Sequence, residues 1–141
     1  MTDRLKIALA QLNPTVGDVA GNIDRAREAR ARAAALGADL VLYSELFVAG
    51  YPPEDLVLKP SFQAACMSAV ADLAAETADG GPALLIGCPW RDETGLHNAH
   101  LLLDGGAIAS IRYKVDLPNY GVFDEKRVFV PGDLPGPMLF R

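Results

Sequence analysis

The hydrophobic period changes twice within residues 6–45, and that change restricts the fold more than any other feature of the chain. Residues 6–12 read as a short buried strand, closed by the turn formers Asn13-Pro14 and Gly17-Asp18. From Val19 the period becomes helical. Val19, Ile23, Ala26, Ala33 and Leu36 share one stripe, while Asp24 with Arg27 and Glu28 with Arg32 stand at the spacing of exposed charge pairs. Gly37 is placed to stop that helix, and residues 39–45 return to an apolar strand. Strand, helix and strand in this order make a β-α-β unit, its two strands parallel and its crossover right-handed.

The Pro52-Pro53 loop interrupts the pattern. A second helix follows with Ser61 as N-cap, and Phe62, Cys66, Ala69, Val70 and Leu73 lie on the face that covers the sheet. Gly80-Gly81-Pro82 ends it. Residues 83–88, 96–103 and 107–114 read as three strands, the last two forming a hairpin around Asp104-Gly105-Gly106, so the sheet becomes mixed. Residues 131–137, rich in Pro and Gly, read as a loop before a further strand.

The composition excludes several roles. With 13 Lys+Arg against 18 Asp+Glu the net charge is −5, which repels polyanions and leaves no basic footprint for nucleic acid. Apolar runs such as Ala83-Leu84-Leu85-Ile86 are far too short to span a bilayer, and Met1-Thr2-Asp3-Arg4-Leu5-Lys6 lacks the apolar core of a signal peptide. A cytoplasmic protein without membrane partners is the expectation. The two cysteines, Cys66 and Cys88, form neither a disulfide framework nor a C-x-x-C metal or redox pattern. His97 and His100 are three residues apart on a strand and point to opposite faces, so no metal site is expected.

Two residues stand where parallel sheets gather their chemistry, at strand ends. Glu45 closes the run Leu40-Val41-Leu42-Tyr43, and a carboxylate in apolar surroundings suits a general base, although an ordinary solvated acid fits the position too. Lys114 ends the third of the later strands, where a cation stabilises an oxyanion or simply stays hydrated. The loop after it, Leu117-Pro118-Asn119-Tyr120-Gly121-Val122-Phe123-Asp124-Glu125, packs a proline, a glycine, two aromatics and an acidic pair into a short span. Tyr51 and Tyr120 each follow one of the two charged residues by six positions and offer an apolar wall with a hydroxyl donor. Cys66 reads as a small core residue.

Three blocks carry a resemblance across the whole chain. Ala8-Leu9-Ala10-Gln11-Leu12-Asn13-Pro14-Thr15-Val16-Gly17-Asp18 and Ser44-Glu45-Leu46-Phe47-Val48-Ala49-Gly50-Tyr51-Pro52-Pro53-Glu54-Asp55-Leu56 resemble the nitrilase superfamily of carbon–nitrogen hydrolases. The Lys114 block with its Leu-Pro-Asn-Tyr-Gly-Val-Phe-Asp-Glu run is similar to the N-terminal glutaminase domain of glutamine-dependent NAD synthetases. The resemblance implies an α-β-β-α sandwich of mixed sheets covered by helices, of which residues 1–141 supply roughly the first half. It implies a Glu-Lys-Cys triad with Glu45 as base, Lys114 at the oxyanion and Glu125 fixing the lysine and the substrate amide. Tyr51 and Tyr120 then line the glutamine pocket.

The family's nucleophilic cysteine follows the lysine loop, and no such word occurs before Arg141, so the chain reads as truncated and inactive alone. Cys88 is a poor substitute, because Pro89 after it has no N–H to offer an oxyanion. By resemblance the partners are glutamine, a C-terminal synthetase domain and further copies of the chain. ATP and Mg belong to that synthetase domain, and no cofactor is expected on residues 1–141. Two other readings stay open: a stand-alone amidase, nitrilase or carbamoylase for another small amide or nitrile, and a non-catalytic assembly module.

Overall fold

A computed structural model describes residues 4–141; the polar start at residues 1–3 lies outside them. The strands are β1 (Ile7–Ala10), β2 (Leu40–Tyr43), β3 (Ala83–Asp92), β4 (Gly95–Asp104) and β5 (Ala107–Tyr113). The helices are α1 (Val19–Ala35), α2 (Pro60–Glu76) and the single turn α3 (Glu125–Val128). The strands form one mixed sheet in chain order. β1, β2 and β3 run parallel, and β3, β4 and β5 antiparallel.

The β-α-β unit arises from the periodicity that announces it. Asp18 caps α1 through a bond from Gly21 N to its Oδ1 (3.0 Å), and Gly37 stops it at φ +70. Ile23, Ala26 and Ala33 are buried, whereas Leu36 is 73% exposed, because it falls at the C-cap, beyond the turn that faces the sheet. Asp24 pairs with Arg27 (2.8 Å), but Glu28 and Arg32 form no ion pair among the described residues. Longer-range pairs tie α1 to α2 and to the turn that follows it instead: Arg27 to Glu76 (2.6 Å) and Arg30 to Asp79 (2.7 Å).

Helix α2 begins at Pro60, not at a Ser61 cap. Proline has no N–H to leave unpaired in a first turn, so it occupies the start and Ser61 falls inside. Cys66, Val70 and Leu73 are buried as a stripe against β3, with Phe62 and Ala69 partly buried beside them.

The two faces of the sheet differ. Val41, Tyr43, Leu84, Ile86, Cys88, Ala99, Leu101 and Leu103 face the helices and make the core. On the other face Leu9 is 73% exposed and Ile7 46%, so β1 is an edge strand with one uncovered side and not a buried strand. β3 runs on through Pro89, which the sequence pattern placed beyond its end. Its parallel neighbour stops pairing at Leu85, so Pro89 withholds no donor from a ladder there. The β4–β5 hairpin turns at Gly105 (φ +60) and Gly106 (φ +86), the two left-handed residues of a tight turn. A register shift near Leu102/Leu103 lets both Ile108 and Ile111 reach the core.

Gly87 sets the position of the segment after β2. A Cβ there would lie 2.4 Å from Leu46 N and 2.6 Å from Ser44 O, so the 44–46 turn crosses β3 directly over the glycine. Gly87→Ala should destabilise the chain by about 1–3 kcal/mol through overpacking. Urea unfolding measures it, and unchanged stability would show that the turn does not rest on this strand.

Candidate active site

By crossing at Gly87, the 44–46 turn carries Glu45 from the end of β2 past β3 to β4. Val48 N bonds Gly87 O (3.1 Å) to fasten the crossing, and Leu46 adopts φ +49 within it. Glu45 Oε1 there accepts hydrogen bonds from Lys114 Nζ (2.8 Å) and Asn98 Nδ2 (2.6 Å). Lys114 follows the last residue of β5, its N–H bonded to Asn98 O (2.8 Å) as the ladder's final rung.

The same ammonium donates to Glu125 Oε1 (2.9 Å). Glu125 opens α3, whose position is set by Glu125 N bonding Pro118 O (3.2 Å) and by Phe129, buried against Leu46, Leu96 and Leu117. Burial opposes the Lys114 charge, but the bonds to Glu45 and Glu125 outweigh it and hold the ammonium pKa above its ordinary value. Glu125 is buried. Its Oε2 has no hydrogen-bond partner among the described residues, which leaves one strong acceptor beside the lysine.

Glu45, Lys114 and Glu125 thus meet, the first two from strand ends and the third from α3, where the resemblance implies it. Tyr51 lines a hollow together with Glu125, Leu46 and Phe129, and burial, then the charges of Glu45 and Glu125, raise its phenol pKa. Tyr120 is not in that hollow. It is 71% exposed, lies edge-on to Phe123 (5.6 Å) and borders a separate surface groove with Lys114.

Asn98 escaped the sequence reading. An amide in the apolar run Leu96-His97-Asn98-Ala99-His100-Leu101 is the signal that marks it, since a buried amide needs a partner. Its neighbours explain the stiffness of the strand ends. His97, on the helix-facing side, stacks on Tyr113 (3.9 Å, 7°), and its Nδ1 bonds Val130 O (2.9 Å). Tyr113 OH donates to Asp92 Oδ2 (2.7 Å), and Thr94 OH to Asp92 Oδ1 (2.6 Å). His100 lies on the opposite face, near Tyr43 O (3.3 Å).

Neither cysteine reaches the carboxylates. Cys88 is fully buried on the helix side with Sγ toward Pro89 O (3.3 Å), and burial, then the neighbouring Cys66, push its thiol pKa well up. Both thiols are core groups.

Residues 6–139 match the family described as carbon–nitrogen hydrolase. The chain is 49% identical over 138 residues to a glutamine-dependent NAD(+) synthetase of Rhodobacter capsulatus, covering 98% of this chain and 25% of that protein. A solved glutamine-dependent NAD+ synthetase from Acinetobacter baumannii superposes with a TM-score of 0.86 at 35% identity, over 92% of this chain and 24% of the other. A mutant of the amidase from Nesterenkonia sp. AN1 superposes at 0.81 with 33% identity, over 94% and 50%, and carries the acetamide moiety of fluoroacetamide on its active-site cysteine. The chain spans about a quarter of the length of the synthetases it matches.

The bonds from Thr94 and Tyr113 hold the Asp92 carboxyl well below the usual carboxylate range. A carboxyl lowered on folding adds stability above its unfolded value, near 3.9, that is lost as pH falls through the folded one. Asp92→Asn should therefore be less stable than the native chain at neutral pH, and the difference should shrink as pH drops below about 4. Urea midpoints at several pH values test this; a difference independent of pH would assign the loss to packing.

Proposed function

The chain belongs to the carbon–nitrogen hydrolase family, and on that basis we propose that it forms part of a glutamine-hydrolysing unit that supplies ammonia to ATP-dependent NAD synthesis. One observation carries the chemistry: a single ammonium, Lys114, clamped between Glu45 and Glu125 at the sheet edge. The two core cysteines take no part, and the attacking thiol comes from outside residues 1–141.

In this reading Glu45 accepts the thiol proton as sulfur bonds to the carboxamide carbon. The carbonyl oxygen becomes an oxyanion beside Lys114 Nζ, whose charge is already in place and needs no reorganisation. As the C–N bond breaks, Glu45 returns the proton to the leaving nitrogen and ammonia departs. Water then attacks the thioester, Glu45 takes its proton and passes it to the departing sulfur, and glutamate and the free thiol result. Glu125, bonded to Lys114 through Oε1, fixes the lysine, and Tyr51 and Tyr120 hold the substrate's side chain from separate loops.

The synthetase part, with its ATP and Mg, lies elsewhere in proteins of this kind, and subunits pair through the α1–α2 layer. Likeness to the Nesterenkonia amidase supports a second reading, hydrolysis of another small amide. The higher identity to the Rhodobacter capsulatus synthetase favours glutamine.

The test uses the Rhodobacter capsulatus enzyme with its matching segment replaced by this chain. Glu45→Gln and Lys114→Met should each lower glutamine-dependent synthesis by about 100-fold or more, while synthesis from free ammonia continues. Parallel loss of both reactions would make the residues structural.

In the same hybrid, Tyr51→Ala and Tyr120→Ala should raise KM for glutamine more than they lower kcat. Steady-state kinetics decide, and an unchanged KM would return the tyrosines to loop packing.

A further inference from the structure

We propose that Asn98 is a positioning residue for this site: its amide pins Glu45 by Oε1 so that Oε2 is the oxygen that exchanges protons. The proposal rests on the amide-hydrolysis reading above for its catalytic consequence, and on geometry alone for the contact.

Asn98 is only 3% exposed, in the interior of β4. An amide there loses water and must recover hydrogen bonds from protein. Its Nδ2 finds Glu45 Oε1 at 2.6 Å, from a residue 53 positions away in the chain. The reverse orientation would set amide oxygen against carboxylate oxygen, so the donor has to face Glu45. Lys114 Nζ binds the same oxygen, and Glu45 Oε2 accepts nothing among the described residues. Two donors on one oxygen hold the carboxylate plane and leave the other oxygen to work.

Asn98 acts on both charged partners. Its side chain holds Glu45, and its carbonyl accepts the Lys114 N–H (2.8 Å), which sets where the lysine leaves the strand. A neutral donor is what the charges require. Lys114 already serves two carboxylates, so a second cation at position 98 would compete for Glu45, and a carboxylate there would repel it. On the same face lies a hollow lined by Glu45, Asn98, His100, Arg112 and Lys114, and the Glu45 side chain is 39% exposed.

Asn98→Leu removes the donor and keeps the branched outline of the side chain. In the hybrid enzyme it should lower glutamine-dependent kcat by about 10- to 100-fold, with KM within about twofold and ammonia-dependent synthesis unchanged. Asn98→Asp, equal in shape but without a donor at neutral pH, should lose at least as much. Unchanged kcat, a loss confined to KM, or equal loss of the ammonia reaction would each overturn the proposal. If the unsubstituted hybrid fails to hydrolyse glutamine, the functional reading falls, and the contact is decided in this chain itself by NMR. One Asn98 side-chain amide proton should then resonate downfield of its partner and move back in Glu45→Ala; an unchanged signal would remove the contact.

Discussion

Lys114 joins three segments that the chain keeps far apart. Its ammonium bonds Glu45, 69 positions earlier, and Glu125, 11 positions later, while its own N–H closes the last rung of the β4–β5 ladder. Remove that cation and two carboxylates face each other, with Glu125 nearly out of reach of water. Breaking a buried pair by removing one partner leaves an uncompensated charge, which costs more than the pair contributes. The 44–46 turn, fastened at Gly87, and α3, fastened by Pro118 and Phe129, meet at this one group.

Much of the fold that serves this contact is stiff backbone. Gly87 lets the 44–46 turn cross β3, Asn98 receives it on β4, and the His97–Tyr113 stack with Asp92 braces the two residues next to Asn98 and Lys114. Functional side chains therefore sit on strand ends and short turns, where less conformational freedom has to be lost than on long loops. The opposite face of the same strands, with Cys66 and Cys88 in a dry core, has no access to the carboxylates.

The sequence showed the β-α-β unit, the second helix and the hairpin, because each has a strong period and a glycine or proline boundary. Glu45, Lys114 and Glu125, and their sharing of one site, were legible through motif likeness; the route by which Glu45 reaches β4 was not, since it depends on a turn passing over Gly87. What misled was local. Ser61 looks like a cap until Pro60 takes the helix start, Leu36 continues a stripe that the helix end turns away, and β1 looks buried although it is an edge. Asn98 was passed over because a lone polar residue in a strand shows its partner only in three dimensions.

The clamp on Lys114 is tested most directly by its own titration. Burial alone would lower the ammonium pKa, whereas bonds to Glu45 and Glu125 raise it, so the sign of the shift separates the two environments. NMR detection of the Lys114 side-chain nitrogen across alkaline pH should show it holding its proton above the ordinary lysine value of about 10.4, and Glu125→Gln should bring the titration down. A native Lys114 that titrates at or below that value would contradict the clamp and the site built on it.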